Sequence, residues 1–302
     1  MNSQHLQATL EPHRVAVITV SYNSEAVLPA MLGSLPAGIP VIIVDNASRN
    51  QTAIEAVAER YGTTLILNEK NLGFGVACNQ GAAQTEAEFL FFLNPDAVLL
   101  PGTLESLLDA AQRYPAAAAF CPRELGDRDE QIFKRRSDLL PRHLWLPHGW
   151  PSSDRALPVM HGAAMLIRSK AFASVGGFDP ELFLFFEDDD LSLRLDRECG
   201  PLMFIRDAAV RHAGGRSSGT DHRIDAFKAW HLGFSRVYAL RKHGRYATLV
   251  RAVIAITLKA LLSLGPMSAP KRTRRRSTYR GTFHALAGGK SDGYRPVQKS
   301  AG

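Results

Sequence analysis

The sequence predicts an α/β fold: a mostly parallel central sheet with helices on both faces, followed by a C-terminal helical appendage. Two observations point there. Short β-branched or aromatic runs alternate with helix-compatible stretches through the first ~120 residues, the order that builds parallel strands with helical crossovers. Each run also ends in a polar or glycine-containing turn, and such loops at strand carboxyl ends are where open α/β sheets bind ligands. With 302 residues, 45% hydrophobic and 22% charged, the chain can bury a large core.

Val15 to Val20 is the first strand, and Ser24 is placed to cap a helix running to Leu35. Val41 to Val44 is the second, followed by a polar turn and a helix near Thr52 to Tyr61. Thr64 to Leu67 is the third, and the turn Asn68 to Gly73 leads into a helix from about Phe74 to Gln84. Phe89 to Leu93 is the fourth, ending at Asn94-Pro95-Asp96 before a helix near Thr103 to Tyr114. From about Cys121 to Pro158 the chain is rich in Pro, Arg and Trp without a clear period, which fits an irregular connection bordering a site. His161 to Arg168 resumes as a strand, and Glu187 to Glu198 is compatible with a helix. The expected divisions are an extension at 1–13, a main domain at 14–222, a helical region at 223–265 and a basic tail at 266–302.

Four consecutive acids, Glu187 to Asp190, interrupt an apolar run behind the segment LFLFF. Adjacent carboxylates repel, and burying one without a partner is costly, so the cluster needs a nearby cation or a proton to move. That is the pattern of an active site that activates a hydroxyl.

Taken in order, VITVSYNS (17–24), VIIVDNASRN (41–50), NEKNLGFGVACNQG (68–81), FLNPDAVL (92–99) and GAAMLIRSKAFASVGGFDPELFLFFEDDDLSLR (162–194), with His212 after them, resemble a family 2 glycosyltransferase of the rhamnosyltransferase-like branch. The resemblance covers roughly residues 15 to 215. It implies the GT-A (Rossmann-like) nucleotide-diphospho-sugar transferase fold, with a nucleotide-binding half at 14–120 and an acceptor-binding half at 121–222. It also implies an inverting hexosyltransferase of polysaccharide or cell-envelope biosynthesis. Such an enzyme moves a sugar from a nucleoside diphosphate sugar to a glycan or lipid-linked glycan acceptor. dTDP-rhamnose is the favoured donor; UDP-hexose, UDP-galactofuranose and GDP-sugars stay open, and a catalytically inactive glycan-binding or scaffold relative is the alternative from another class.

By the same resemblance, Ser21, Tyr22, Asn23, Asp45, Asn71, Gly73, Asn79 and Asp96 contact the nucleotide, and Asp96 with His212 holds Mg or Mn. Asp188 is the general base, with Glu187 and Asp190 holding the acceptor or the local backbone. Asn94 stands where an Asp-x-Asp metal motif would have its first acid, which leaves Asp96 as the charged ligand. Several of these residues also have plainer roles open to them. Asp45 can cap the following helix, Tyr22 can pack under the sheet, His212 can be structural and Asp189 can face solvent. Arg194, Arg211 and Arg216 are the candidates to stabilise the departing diphosphate.

Gly73 and Gly75 invite a dinucleotide-binding comparison, but Cys78 holds the place of the third glycine and no acid ends the next strand at the right distance. Three dispersed cysteines give neither a disulfide framework nor a zinc spacing, which fits a reducing compartment. The start of the chain has no apolar leader, and no window reaches 18 uncharged apolar residues, so a cytoplasmic protein is expected. Residues 266–302 carry nine Lys or Arg against Asp292 alone, a net +8 that exceeds the whole-chain +7 and leaves the remainder at −1. The basicity is therefore local and does not mark a nucleic-acid-binding protein. Tyr246 to Leu264 is apolar except for a polar stripe through Arg251 and Lys259. With the following KRTRRR it is compatible with peripheral binding to an anionic membrane through residues 246–280, or with a helix packed on the domain or in a homo-oligomer.

Overall fold

The computed structural model describes residues 14–212, 222–261 and 268–294. Its first half alternates as expected: β1 (Val15–Ser21), α1 (Leu28–Gly33), β2 (Val41–Asp45), α2 (Gln51–Tyr61), β3 (Thr64–Leu67), α3 (Phe74–Ala82), β4 (Phe89–Leu93), β5 (Ala97–Leu99) and α4 (Thr103–Arg113). Then follow β6 (Ala119–Leu125), β7 (Gln131–Ile132), β8 (Arg155–Leu157), β9 (Ala164–Arg168), α5 (Ser169–Ser174), α6 (Glu187–Glu198) and β10 (Leu202–His212). Three C-terminal helices complete the described chain: α7 (His222–Lys242), α8 (Tyr246–Leu261) and α9 (Ala269–Leu286).

The strands form one sheet in the order β3-β2-β1-β4-β9-β6-β10-β5, with β7 on β6 and β8 on β10. Along that path β3, β2, β1, β4, β6 and β10 run in one direction, while β9 and β5 are reversed. The chain winds from β1 outward to β3 and then crosses to β4 on the other side of β1, so a crevice opens at the carboxyl ends of β1 and β4. Two apolar layers cover the sheet. One joins Leu28, Met31, Ile54, Leu104 and Leu107 of α1, α2 and α4 to β1, β2 and β4; the other joins Ala77, Phe172, Leu191 and Leu195 of α3, α5 and α6 to the opposite face.

Two local expectations are corrected. Ser24 does not cap α1, because that helix begins only at Leu28, with Pro29 in its first turn. The Ser24 carbonyl instead closes the preceding turn, accepting from Val27 N at 3.0 Å. The stretch from Cys121 to Pro158 is also more regular than its composition suggests. Most of β6 lies in it, held between β9 and β10, because Phe120 and Cys121 are buried in the sheet whatever the local period.

The basic C-terminal stretch is helical over α9 and packs on α7 through small residues. A Cβ on Gly281 would lie 2.0 Å from Trp230 O, and one on Gly233 would lie 2.2 Å from Thr278 O, so both glycines permit a close backbone crossing. Ser277, Thr282 and Ala285 are buried on the same face, while Lys271, Arg274, Arg276 and Arg280 remain exposed.

Candidate active site

A cleft of about 1340 Å³ opens at the carboxyl ends of β1, β2 and β4 and is closed on the far side by the segment before α6 and by α7. The register brings its polar floor together. Ser21 pairs with Asp45 and Asp45 with Leu67, so three strands end level, and their loops converge. Asn46 organises those loops: its Oδ1 accepts from Leu72 N at 3.0 Å and Asn68 Nδ2 at 3.1 Å, and its Nδ2 donates to Asn71 Oδ1 at 2.9 Å.

Gly73 opens α3 with φ +88°, and a Cβ there would meet Phe183 O at 2.6 Å. The segment LFLFF therefore lies directly against the turn that opens α3. Its last two residues, Phe185 and Phe186, both have φ +68°, a left-handed conformation costly for aromatic residues. This bend aims the start of α6, with Glu187, Asp188 and Asp189, into the cleft.

Asp188 is held on both oxygens. Oδ2 accepts from Lys134 Nζ at 2.7 Å and Gly162 N at 3.0 Å, and Oδ1 accepts from Asp189 N at 2.9 Å. Burial would raise its pKa, but the charges of Lys134 and His161 and these hydrogen bonds hold it below the ordinary aspartate value. Glu187 behaves oppositely: burial, then the charge of Asp188, pushes it up to about 8. Asp189 does not face solvent, since it is 6% exposed and lies 3.1 Å from Lys134 Nζ. Burial raises its pKa to about 6 against the pull of Lys134.

At the opposite wall, β10 pairs with β5 so that His212 stands across from Ala97, next to Asp96. His212 Nε2 is 3.3 Å from Asp96 Oδ1, and its Nδ1 is 3.7 Å from Glu124 Oε2. Glu124 in turn bonds His161 Nδ1 at 2.6 Å. Burial alone would lower the His212 pKa, yet Asp96 and Glu124 outweigh it and raise the value to about 9. Glu124, His161 and His212 bring one ligand-type atom each within 4.8 Å of one another. A carboxylate behind a histidine is the usual arrangement for orienting a metal-binding imidazole.

Of the residues anticipated from sequence, Tyr22, Asn71, Gly73, Asp96, Glu187, Asp188 and His212 line this cleft. Ser21, Asn23, Asp45, Asn79 and Asp190 do not. Asp45 is fully buried and accepts from Ser48 N at 2.9 Å and from Ser48 Oγ, closing the turn after β2; it does not cap α2, which is capped by Asn50 through Ala53 N at 3.2 Å. Asn23 Oδ1 accepts from Arg49 N at 2.9 Å. The Asn79 side chain is taken up by the backbone of Phe178, through contacts of 2.8 and 2.9 Å. Asp190 is 0% exposed and bonds Arg194, Lys242 and His243, so it joins α6 to α7 and cannot reach an acceptor.

Two of the expected arginines are corrected as well. Arg194 is committed to Asp190 and to the carbonyls of Val175 and Gly177, and Arg211 to Gly126 O and Asp129. Arg216 lies outside the described residues. The cations lining the cleft include Arg49, Lys70 and Lys134 instead. Arg49 and Lys70 sit inside the quoted motifs and could have been singled out as cations beside a phosphate site. Lys134 lies in the stretch without a period, where the sequence carries no signal for it.

The family model for glycosyl transferase family 2 matches residues 16–176. The chain is 29% identical over 298 residues to the N-acetylglucosaminyl-diphospho-decaprenol L-rhamnosyltransferase of Mycobacterium tuberculosis, covering 86% of this chain and 95% of that protein. It is 25% identical over 253 residues to the rhamnosyltransferase WbbL of Escherichia coli, covering 76% and 93%. Among solved structures, the mannosyltransferase PcManGT from Pyrobaculum calidifontis, in complex with GDP-Man and Mn2+, superposes with a TM-score of 0.56 at 17% identity, over 90% of this chain and 87% of that one. S. aureus TarS 1–349 in complex with UDP-GlcNAc gives 0.53 at 15%, over 91% and 92%.

Proposed function

The chain belongs to glycosyl transferase family 2 and has the GT-A fold, and from that premise we propose that it is an inverting rhamnosyltransferase using dTDP-rhamnose and a lipid-linked glycan acceptor. The observation that carries this is the placement of Asp188 at the start of α6, in the same cleft as Asp96 and His212. The two relatives named as rhamnosyltransferases support the donor, and the diphospho-decaprenol in one name supports the acceptor class.

In this reading Asp188 accepts the proton of the acceptor hydroxyl as its oxygen bonds the anomeric carbon, and the bond from that carbon to the diphosphate breaks on the opposite face. The low pKa of Asp188 keeps it ionised and ready. Asn71 and the Gly73 turn at the start of α3 receive the nucleotide, with Arg49 and Lys70 as counter-charges for its phosphates. The carboxylate of Asp96 suits Mg or Mn, the latter bound in the PcManGT structure, and His212, 3.3 Å away, would join it as a ligand in its neutral form. When bound, the ion supplies positive charge for the departing diphosphate.

No helix among the described residues is long and apolar enough to cross a membrane. Tyr246, Val250, Ile254, Leu258 and Leu261 nevertheless form an exposed apolar row along α8, each 54–63% accessible. Arg275 Nη1 donates to Lys259 O at 3.4 Å, which sets the cationic start of α9 beside the end of that row. Together they fit peripheral attachment to an anionic leaflet, where a lipid-linked acceptor resides.

The test combines ligand-dependent melting with transfer. dTDP with Mg or Mn is expected to raise the melting temperature more than UDP or GDP, and Asp188→Asn to lower transfer from dTDP-rhamnose by about 10²–10⁴-fold while keeping dTDP binding. Stabilisation by UDP or GDP alone changes the donor. Failure to bind any nucleoside diphosphate, or full activity of Asp188→Asn, overturns the proposal and favours a glycan-binding relative.

A further inference from the structure

Lys134 lies on a strap that is pinned on both sides. Trp150 Nε1 donates to Ile132 O at 3.2 Å, and Leu146 N donates to Arg135 O at 2.9 Å. Its ammonium is thereby delivered between two carboxylates, 2.7 Å from Asp188 Oδ2 and 3.1 Å from Asp189 Oδ1, with only 19% of the side chain exposed. A carboxylate offers about four acceptor positions. On Asp188, Lys134 and Gly162 N occupy Oδ2, and Asp189 N occupies one position on Oδ1. Among the described residues no other group bonds Oδ1, and that position suits an incoming hydroxyl.

We propose that Lys134 is the positioning residue of the general base: it fixes the Asp188 carboxylate with one acceptor position open, and Asp189 serves as its counter-ion once Asp188 is protonated. This rests on the assignment of Asp188 as the base. During transfer the hydroxyl proton passes to Asp188 Oδ1 and the hydroxyl oxygen bonds the anomeric carbon. The bond from that carbon to the diphosphate oxygen breaks, its electron pair leaving with the diphosphate. Asp188 becomes neutral, and the ammonium keeps Asp189 as a partner, so no buried cation is left uncompensated.

The charged groups acting on Asp188 include Lys134 and His161, which favour its ionised form, and Asp189 beside it, which opposes it, while Glu187 on the same helix stays neutral up to about pH 8. Replacing Lys134 by Met removes the strongest favourable contact. Opposite charges at this range lower a carboxyl pKa by about 1–3 units, so the acid limb of the kcat profile is expected to move up by that amount. The Asp189→Asn change removes a negative neighbour and is expected to move the limb down.

The experiment measures kcat and KM against pH for the wild type, Lys134→Met, Lys134→Arg, Asp189→Asn and Asp188→Asn. It uses dTDP-rhamnose and a synthetic N-acetylglucosaminyl-diphospho-alkyl acceptor, with dTDP-dependent melting as the check of folding. Lys134→Met is expected to lower kcat about tenfold or more with donor KM unchanged, and Lys134→Arg to recover much of it. If the Met variant does not fold, Lys134→Gln carries the same test. An unmoved acid limb overturns the proposal, and if donor KM rises with the limb unmoved, Lys134 serves the diphosphate instead. Full activity of Asp188→Asn removes the base assignment itself, which distinguishes that failure from failure of the role of Lys134.

Discussion

Asp190→Asn probes the link between α6 and the C-terminal helices. Asp190 is 0% exposed, and its two oxygens meet Arg194 at 2.8 Å, Lys242 at 2.8 Å and His243 at 2.8 Å. Burial opposes ionisation, but the hydrogen bonds from His243 and Lys242 and the charge of Arg194 prevail and bring the pKa from 3.8 to about 2. At about 1.4 kcal/mol per pH unit, that difference corresponds to roughly 2–3 kcal/mol favouring the folded, ionised state. Removing one partner of a buried ion pair costs about 3–5 kcal/mol, so the two routes agree on a loss of a few kcal/mol. The folded pKa lies below the unfolded one, so this stabilisation is present above pH 3.8 and fades as pH falls toward 2. Urea denaturation of both proteins at pH 7 and in acid is the assay. A loss below about 1 kcal/mol at pH 7 would refute the reasoning, as would a difference that stays constant in acid. The KM for the acceptor is expected to be unchanged wherever the variant is folded.

Two further outcomes follow from other parts of the structure. Glu187 has a folded pKa of about 8 against 4.5, so its neutral form is favoured in the fold and stability is lost as pH rises between those values. The melting temperature of Glu187→Gln is therefore expected to gain on the wild type from pH 5 to pH 8, and a constant difference would contradict this. Replacing Val250, Ile254 and Leu258 by Ser is expected to leave melting nearly unchanged, since all three are more than half exposed, but to reduce sedimentation with anionic vesicles. Unchanged sedimentation, or a shift from dimer to monomer, would assign the row to protein contact.

Much of the fold is legible in the sequence because strand and helix periods are local properties. The runs at Val41, Thr64 and Phe89 and the helix at Glu187 appear where their patterns put them. The loops after β1, β2 and β4 could be named as the ligand side for the same reason, since a polar turn after an apolar strand marks its carboxyl end. Asp96, Asp188 and His212 could be singled out only because the motifs around them resemble those of family 2 glycosyltransferases; the need of clustered carboxylates for a cation or a proton marked the run from Glu187 to Asp190 as a whole.

What the partners are is not a local property. Lys134 reaches Asp188 across 54 positions, and Glu124 reaches His161 across 37, pairings that exist only once the sheet has formed. The same limit explains Asp190, whose charge looks like its neighbours' in sequence but whose side of the helix faces α7. It also explains Asn79, turned to Phe178, and Arg194 and Arg211, held by carbonyls and acids outside the cleft. Sequence by itself determined the strand–helix alternation of the first ~120 residues, because that follows from residue type and spacing, and the resemblance of its motifs supplied the kind of chemistry. Tertiary structure alone decided which carboxylate faces the cleft, which cation holds it and which apolar row of α8 is left uncovered, because those depend on contacts between segments far apart in the chain.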